Sequence, residues 1–225
     1  MDKIAILMID EQASFRDGVR QALSRQPDFK IFDCDPSEDI MASIDANYPD
    51  VIILGSDIAS ISSLELSREI VRYYPNIKVI VMSPRPNDDE LFEFIKIAAV
   101  AYLDKKTPAA ELYSTIRRGY RGEYPINESV VTRPAVAQHI LKQFQEIASM
   151  GRGMERIAAP LSHQENLLLT LIIDCMSKKQ IALTLKVSER TVENHVSGIL
   201  RKLITYDRVL TAALSMQDSL ISVGR

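Results

Sequence analysis

Over the first 122 positions, short continuous apolar runs alternate with stretches whose apolar residues fall three and four apart. The runs at 3–9, 29–32, 51–54, 78–82 and 100–103 have strand length. The run Val51-Ile52-Ile53-Leu54 is apolar on both faces, which predicts a central strand covered from either side. Helical spacing marks 14–25 (Phe15, Val19, Ala22, Leu23), 36–47, 64–73, 88–97 and 108–121. The last of these opens with Pro108 in its first turn and closes at Gly122. Five strand–helix units in series predict an α/β domain at 1–122, a doubly wound five-stranded parallel sheet. Any ligand or reactive site belongs at the carboxyl ends of its strands.

Beyond Gly122 the pattern is helical throughout. Residues 123–159 read as a helical connector and linker, with Thr132 as cap and Pro134 in the first turn. Val136, Ile140, Leu141, Phe144 and Ile147 form its apolar stripe, running to about 150. That stripe calls for a cover: the first domain, the last domain, or the same helix of a second copy. Gly151-Arg152-Gly153 reads as a flexible break. Residues 160–225 predict a four-helix all-α domain. Ser162 and Glu165 have capping-box spacing ahead of Leu167, Leu168, Leu171 and Ile172. Ile181, Ala182 and Leu185 line a second short helix. Lys186-Val187 leaves room only for a turn, and Ser188 is suited to cap the next helix. That third helix carries Val192, Val196, Ile199 and Leu203 on one face, and a fourth spans 207–220. The pair at 177–203 has the pattern of a helix-turn-helix, whose second helix lies in the DNA major groove. Taken alone, it also fits an ordinary helical hairpin.

Composition narrows the class. The chain has 225 residues, 46% hydrophobic and 25% charged, enough for two domains with cores. No apolar run reaches the roughly 18 residues a membrane span needs, and the N-terminus lacks a cleavage pattern, so neither a membrane segment nor a signal peptide is expected. Cys34 and Cys175 follow no metal spacing and are expected to be buried thiols of a reducing, cytoplasmic compartment. The net charge of −3 is uneven: residues 161–225 hold eight Lys/Arg and six Asp/Glu, which leaves −5 on the remainder. The sign suits DNA, although the excess is small. With no nucleophile–base pairing, metal motif or glycine-rich phosphate loop, an enzyme is not expected, and no catalytic residue, metal or cofactor is assigned.

The predicted strand ends hold Asp10 and Glu11, Gly55 and Ser56, Ser83, and Lys105. An acidic pair, a hydroxyl and a lysine around one crevice suit a divalent cation and a phosphoryl group; as isolated residues they equally suit solvated loop ends. Their order resembles the receiver domain of two-component response regulators. The resemblance rests on Ile9-Asp10-Glu11, Pro49-Asp50-Val51-Ile52-Ile53-Leu54, Leu64-Glu65-Leu66, Val79-Ile80-Val81-Met82-Ser83, Ala101-Tyr102-Leu103-Asp104-Lys105 and Pro108-Ala109-Ala110-Glu111-Leu112. In that family the residue after the third strand is the aspartate that accepts phosphate. Here it is Gly55, with no gap in the flanking spacing. Ile58-Ala59 and Ser63 also depart from the family's Met-Pro and glycine. The resemblance therefore implies a degenerate phospho-site. Gly55 stands at the acceptor position, Asp10 and Glu11 form a residual acidic pair with at most weak Mg²⁺ binding, and Ser83, Tyr102 and Lys105 keep the switch positions. An acyl phosphate needs a carboxylate nucleophile. Asp57 is expected to start in a loop beyond the strand, displaced too far to substitute.

Residues 160–217 resemble the DNA-binding domain of LuxR/NarL-type transcription factors. The matching residues are Leu161-Ser162 with Glu165, Ser177-Lys178-Lys179-Gln180-Ile181-Ala182, Val187-Ser188-Glu189-Arg190-Thr191-Val192, His195-Val196 and Leu200-Arg201-Lys202-Leu203. Lys186 replaces the usual turn glycine, where a positive φ costs a lysine something like 1 kcal/mol. The resemblance makes 189–203 the recognition helix, presenting Arg190, Glu193, Asn194 and Ser197. Asn194 can pair with adenine and Glu193 can accept from cytosine. Lys178, Lys179, Ser188, Thr191, Arg201 and Lys202 suit phosphates. The family often has lysines at 193 and 197; without them affinity should be modest and lean on dimerisation. Val209, Leu210, Ala213 and Leu214 resemble the family's dimerisation helix. The expected partners are double-stranded DNA, a second copy of the chain, and a protein or small ligand at the receiver-like domain. The leading expectation is a transcription regulator that does not use aspartyl phosphorylation. The alternative is a protein-interaction module whose receiver-like face binds another regulator and whose DNA binding is vestigial.

Overall fold

A computed structural model describes residues 3–149 and 159–223, with side chains described through residue 212. The chain divides into two compact units: residues 1–94 with 98–126, and residues 127–225 with the stretch 95–97.

The first unit alternates strand and helix as its periodicity predicts. It runs β1 (Ile4–Ile9), α1 (Ala13–Leu23), β2 (Phe29–Cys34), α2 (Ile40–Asn47), β3 (Val51–Gly55), α3 (Ser63–Tyr73), β4 (Lys78–Ser83), α4 (Asp88–Lys96), β5 (Ala101–Asp104) and α5 (Ala109–Tyr120). The five strands form one parallel sheet in the order β2-β1-β3-β4-β5. Every residue of β3 is buried, as a strand with helices on both faces requires. The reversal of strand order places the ends of β1 and β3 side by side, with Ile9 paired to Leu54. A connected core runs through Ile6, Met8, Leu23, Ile53, Ile80, Met82 and Ile116. α2 starts four residues later than its periodicity suggests because the Asp39 side chain accepts from the Ala42 amide and caps it there. Gly122 takes φ +84 just past α5, a conformation that glycine adopts without a Cβ penalty.

The second unit is helical: the rest of α6 (Ile126–Val131), then α7 (Pro134–Ser149), α8 (His163–Ile173), α9 (Lys178–Leu185) and α10 (Glu189–Val223). The apolar stripe of α7 finds its cover here, packed on α8, with Val136, Ala137, Ile140, Phe144 and Ile147 buried. Thr132 does not cap α7; its hydroxyl donates back to the Ser129 carbonyl at the end of α6, a short helix the periodicity did not reveal. The break expected at Gly151-Arg152-Gly153 lies outside the described residues.

Capping boxes start both α8 (Ser162 with Glu165) and α9 (Ser177 with Gln180). Ser188 accepts from the Thr191 amide at 3.0 Å and opens α10. Val192, Val196, Ile199 and Leu203 are fully buried, as their spacing predicts. The expected separate helix at 207–220 is a continuation of α10, which runs unbroken for 35 residues. No glycine or proline interrupts the stretch 199–223, and Tyr206 extends the buried stripe of Ile199 and Leu203 into the next turn. Of the two cysteines, Cys34 is buried as expected but Cys175 is exposed, at φ +59 in the turn after α8.

The turn between α9 and α10 is left-handed at Lys186, with φ 55 and ψ 42. Its amide still bonds to Leu183 and that of Val187 to Ala182, so the conformation is imposed by the helix end. Lys186→Gly is therefore expected to stabilise this chain by about 1 kcal/mol, read as a higher urea midpoint at unchanged slope.

Candidate functional site

Two places hold the residues singled out by sequence. At the carboxyl edge of the sheet, Asp10 follows β1, Gly55 ends β3, Ser83 ends β4 and Lys105 follows β5. Asp10 is 1% exposed. One of its carboxylate oxygens accepts from the Gln12 amide at 2.8 Å. The other lies 2.7 Å from Lys105 Nζ. The same ammonium lies 2.6 Å from Asp57 Oδ1, and Gln12 Nε2 donates to Asp57 Oδ2 at 3.2 Å. Lys105 Nζ and Asp10 Oδ2 are held by charge rather than by aligned hydrogen bonds, and the Phe15 ring lies 4.7 Å from the ammonium. Asp57 thus folds back into the site instead of standing beyond it, contrary to the expectation from strand rise alone.

The consequence falls on Gly55. A Cβ built there would sit 2.1 Å from Asp10 Oδ2 and 2.9 Å from its Cγ. The space a side chain would need is filled by a buried carboxylate that is pinned from both sides. Removing one partner of such a buried pair typically costs about 3–5 kcal/mol, so Asp10 does not yield cheaply. Glu11 is turned elsewhere and accepts from the Ala59 amide at 2.7 Å. The donor set does not fit a divalent cation: Asp10 is satisfied by an ammonium and Glu11 by a loop amide. Among the described residues no cluster of three or more His, Cys, Asp or Glu could hold a metal ion.

Ser83 and Tyr102 meet at a residue the sequence reading did not single out. Glu90, on α4, accepts from Ser83 Oγ at 3.0 Å and also from the Tyr102 hydroxyl. The Tyr102 oxygen in turn accepts from the Asn87 amide at 3.2 Å, and its ring stacks on Phe94. Burial, followed by the Glu90 carboxylate, pushes the Tyr102 phenol up to about 12. Glu90 carries no motif signal; only its place in the first turn of α4 brings it to both hydroxyls.

In the second unit, α9 and α10 form the helix pair. Arg190, Asn194, Lys179, Ser188 and Arg201 are exposed, whereas Glu193, Ser197, Thr191, Lys178 and Lys202 are partly covered. Lys178 Nζ donates to Glu193 Oε1 at 2.7 Å and lies 3.7 Å from Glu189. Ser197 Oγ donates to the Glu193 carbonyl at 2.9 Å and accepts from Asn127 Nδ2 at 2.9 Å. Lys202 Nζ reaches Glu165 at 2.7 Å and the Pro160 carbonyl at 3.0 Å, stapling α10 to the start of α8. Burial pushes Glu165 up, but Lys202 and the Ser162 cap outweigh it and hold the carboxyl below its ordinary range. Val209 is 37% exposed and Leu210 half-buried; the side chains of Ala213 and Leu214 lie outside the described residues.

The response regulator receiver domain family matches residues 6–117, and the bacterial regulatory protein luxR family matches residues 159–214. The chain is a LuxR-type response regulator. Relatives match it over nearly the whole of their own length. It is 28% identical to the transcriptional regulatory protein DegU of Brevibacillus brevis, over 99% of this chain and 97% of that one. It is 27% identical to the transcriptional regulatory protein LiaR of Bacillus subtilis, over 97% of this chain and all of that one. The sheet unit resembles a CheY-like receiver domain protein from Methanospirillum hungatei, with a TM-score of 0.50 at 16% identity over 54% of this chain and 96% of that one. This LuxR-type regulator is thus a two-component-type, DNA-binding transcription regulator. Among its described residues no helix is long and apolar enough to cross a membrane.

Gly55→Ala is expected to destabilise the regulator by about 1–3 kcal/mol, the range for overpacking a filled site. Chemical denaturation of the full chain reads this directly, and an unchanged midpoint would mean that Asp10 moves freely.

Proposed function

We propose that this response regulator controls transcription as a cytoplasmic dimer and does not use aspartyl phosphorylation. The single observation behind this reading is the Asp10 carboxylate standing where a side chain at position 55 would be, with Lys105 already neutralised by Asp10 and Asp57. Gly55 offers no nucleophile. Asp57 is committed to Lys105 and Gln12. Asp10, Glu11, Ser83, Tyr102 and Lys105 are then a remnant of the phospho-site, and a protein or small-ligand partner at the sheet unit takes over the input. Incubating the full chain with acetyl phosphate and Mg²⁺ is expected to leave its intact mass unchanged. An adduct of about 80 Da that disappears in Asp57→Ala would overturn this part.

Output runs through residues 189–203, the start of α10. We assign base reading chiefly to Asn194 and Arg190, both exposed on the face opposite Val192, Val196 and Ile199. To phosphates we assign Lys179, Ser188, Thr191 and Arg201, and to contact with the second copy Val209, Leu210, Ala213 and Leu214. Domain limits of 1–122, 123–159 and 160–225 accompany this reading. One observation favours the interaction-module alternative: Lys178 and Lys202, two expected phosphate contacts, are engaged by carboxylates. Selection from random DNA separates the readings. A consensus is expected for the regulator, and Asn194→Ala should relax it at one base pair, at a cost of about 1–3 kcal/mol there. No enrichment would favour the interaction module.

A further inference from the structure

Lys178 occupies an unusual place for a cation. It is the first residue of α9, where the unpaired amides present the positive end of the helix dipole. A lysine there is stabilised by nearby carboxylates, and α10 supplies two. Glu193 makes a direct charged hydrogen bond at 2.7 Å, and Glu189 stands 3.7 Å away. The bond to Glu193 is the main reason the lysine is held above its ordinary range, with Glu189 adding to it. The neighbouring position is also engaged within the unit. The Ser197 hydroxyl is shared between the Glu193 carbonyl and Asn127. A continuous polar seam, Lys178–Glu193–Ser197–Asn127, therefore crosses the start of the helix at 193 and 197. Arg190 and Asn194 stand outside it, exposed.

We propose that Glu193 is a positioning residue. It clamps Lys178 inside the unit, so that Lys178 makes no phosphate contact and Glu193 itself reads no base. The proposal rests on the reading of 189–203 as the DNA-contacting helix. Its physical consequence is a shallower salt dependence, because a phosphate contact that is not made releases no counterion. Recognition then leans on Asn194 and Arg190 rather than on backbone charge.

The test uses the full chain and two duplexes, its selected consensus and a shuffled version, titrated by fluorescence anisotropy at several salt concentrations. Glu193→Gln keeps the shape and removes the clamp's charge. It is expected to tighten binding to both duplexes roughly two- to fivefold, the scale of an exposed ion pair. The slope of log K against log salt should steepen by about 0.9, one added phosphate. Lys178→Ala should be nearly silent alone and should abolish the gain when combined with Glu193→Gln. If Glu193→Gln weakens only the consensus duplex at unchanged slope, Glu193 reads a base and the proposal fails. It fails equally if Glu193→Gln changes nothing, or if Lys178→Ala alone weakens both duplexes. Wild-type chain that binds neither duplex would instead reject the DNA-contacting reading on which the proposal stands.

Discussion

A buried carboxylate beside a glycine governs what the carboxyl edge of this sheet can do. Asp10 ends the innermost strand pair with almost no exposure, so its charge must be met by another charge in place of water. Lys105 meets it, brought across from the end of β5 by the parallel ladder that bonds its amide to the Ser83 carbonyl. Once that pair forms, the volume beside Gly55 is filled, and the ammonium draws Asp57 back from its loop. Each of these placements depends on the one before. The site is closed by complementary charge inside a sheet whose strand order puts β1 and β3 next to each other.

The second unit follows a similar logic at higher exposure. Its apolar framework is set by the buried stripe of α10 and the caps of α8 and α9, and the polar residues left over pair among themselves. Lys202 with Glu165 and Lys178 with Glu193 each join two helices of the unit. The more exposed pair, Lys178 with Glu193, is worth little to stability, whereas in the other Glu165 is buried. As a general rule, a lysine engaged by a carboxylate gives less to the counterion-release term of a polyanion contact.

Two hydroxyls, Ser83 and Tyr102, illustrate how the sheet edge is stabilised away from the glycine. One carboxylate, Glu90, takes both, and the Phe94 ring lies against the phenol. The first turn of α4 is thereby tied to the ends of β4 and β5. In this arrangement the end of α4 nearest the sheet edge is set by a side chain of the protein itself.

Periodicity alone indicated the five strands and five helices of the sheet unit, the apolar both-faced β3 and the short helix pair at 177–203, because each depends on residues close together in the chain. The left-handed turn at Lys186 was expected only from the resemblance to LuxR/NarL-type domains. That position 55 offers no side chain was equally legible, since a glycine has none in any fold. Only the tertiary structure placed Asp10 in that space, returned Asp57 to Lys105, joined Ser83 to Tyr102 through Glu90, and paired Lys178 with Glu193. It also ran α10 through the expected break, because buried Tyr206 continues the stripe and nothing in the stretch stops a helix. Most of these are charged or polar contacts between residues far apart in the chain. Such residues carry no apolar period, and the partner each one finds is settled only when packing excludes water and leaves one opposite charge within reach.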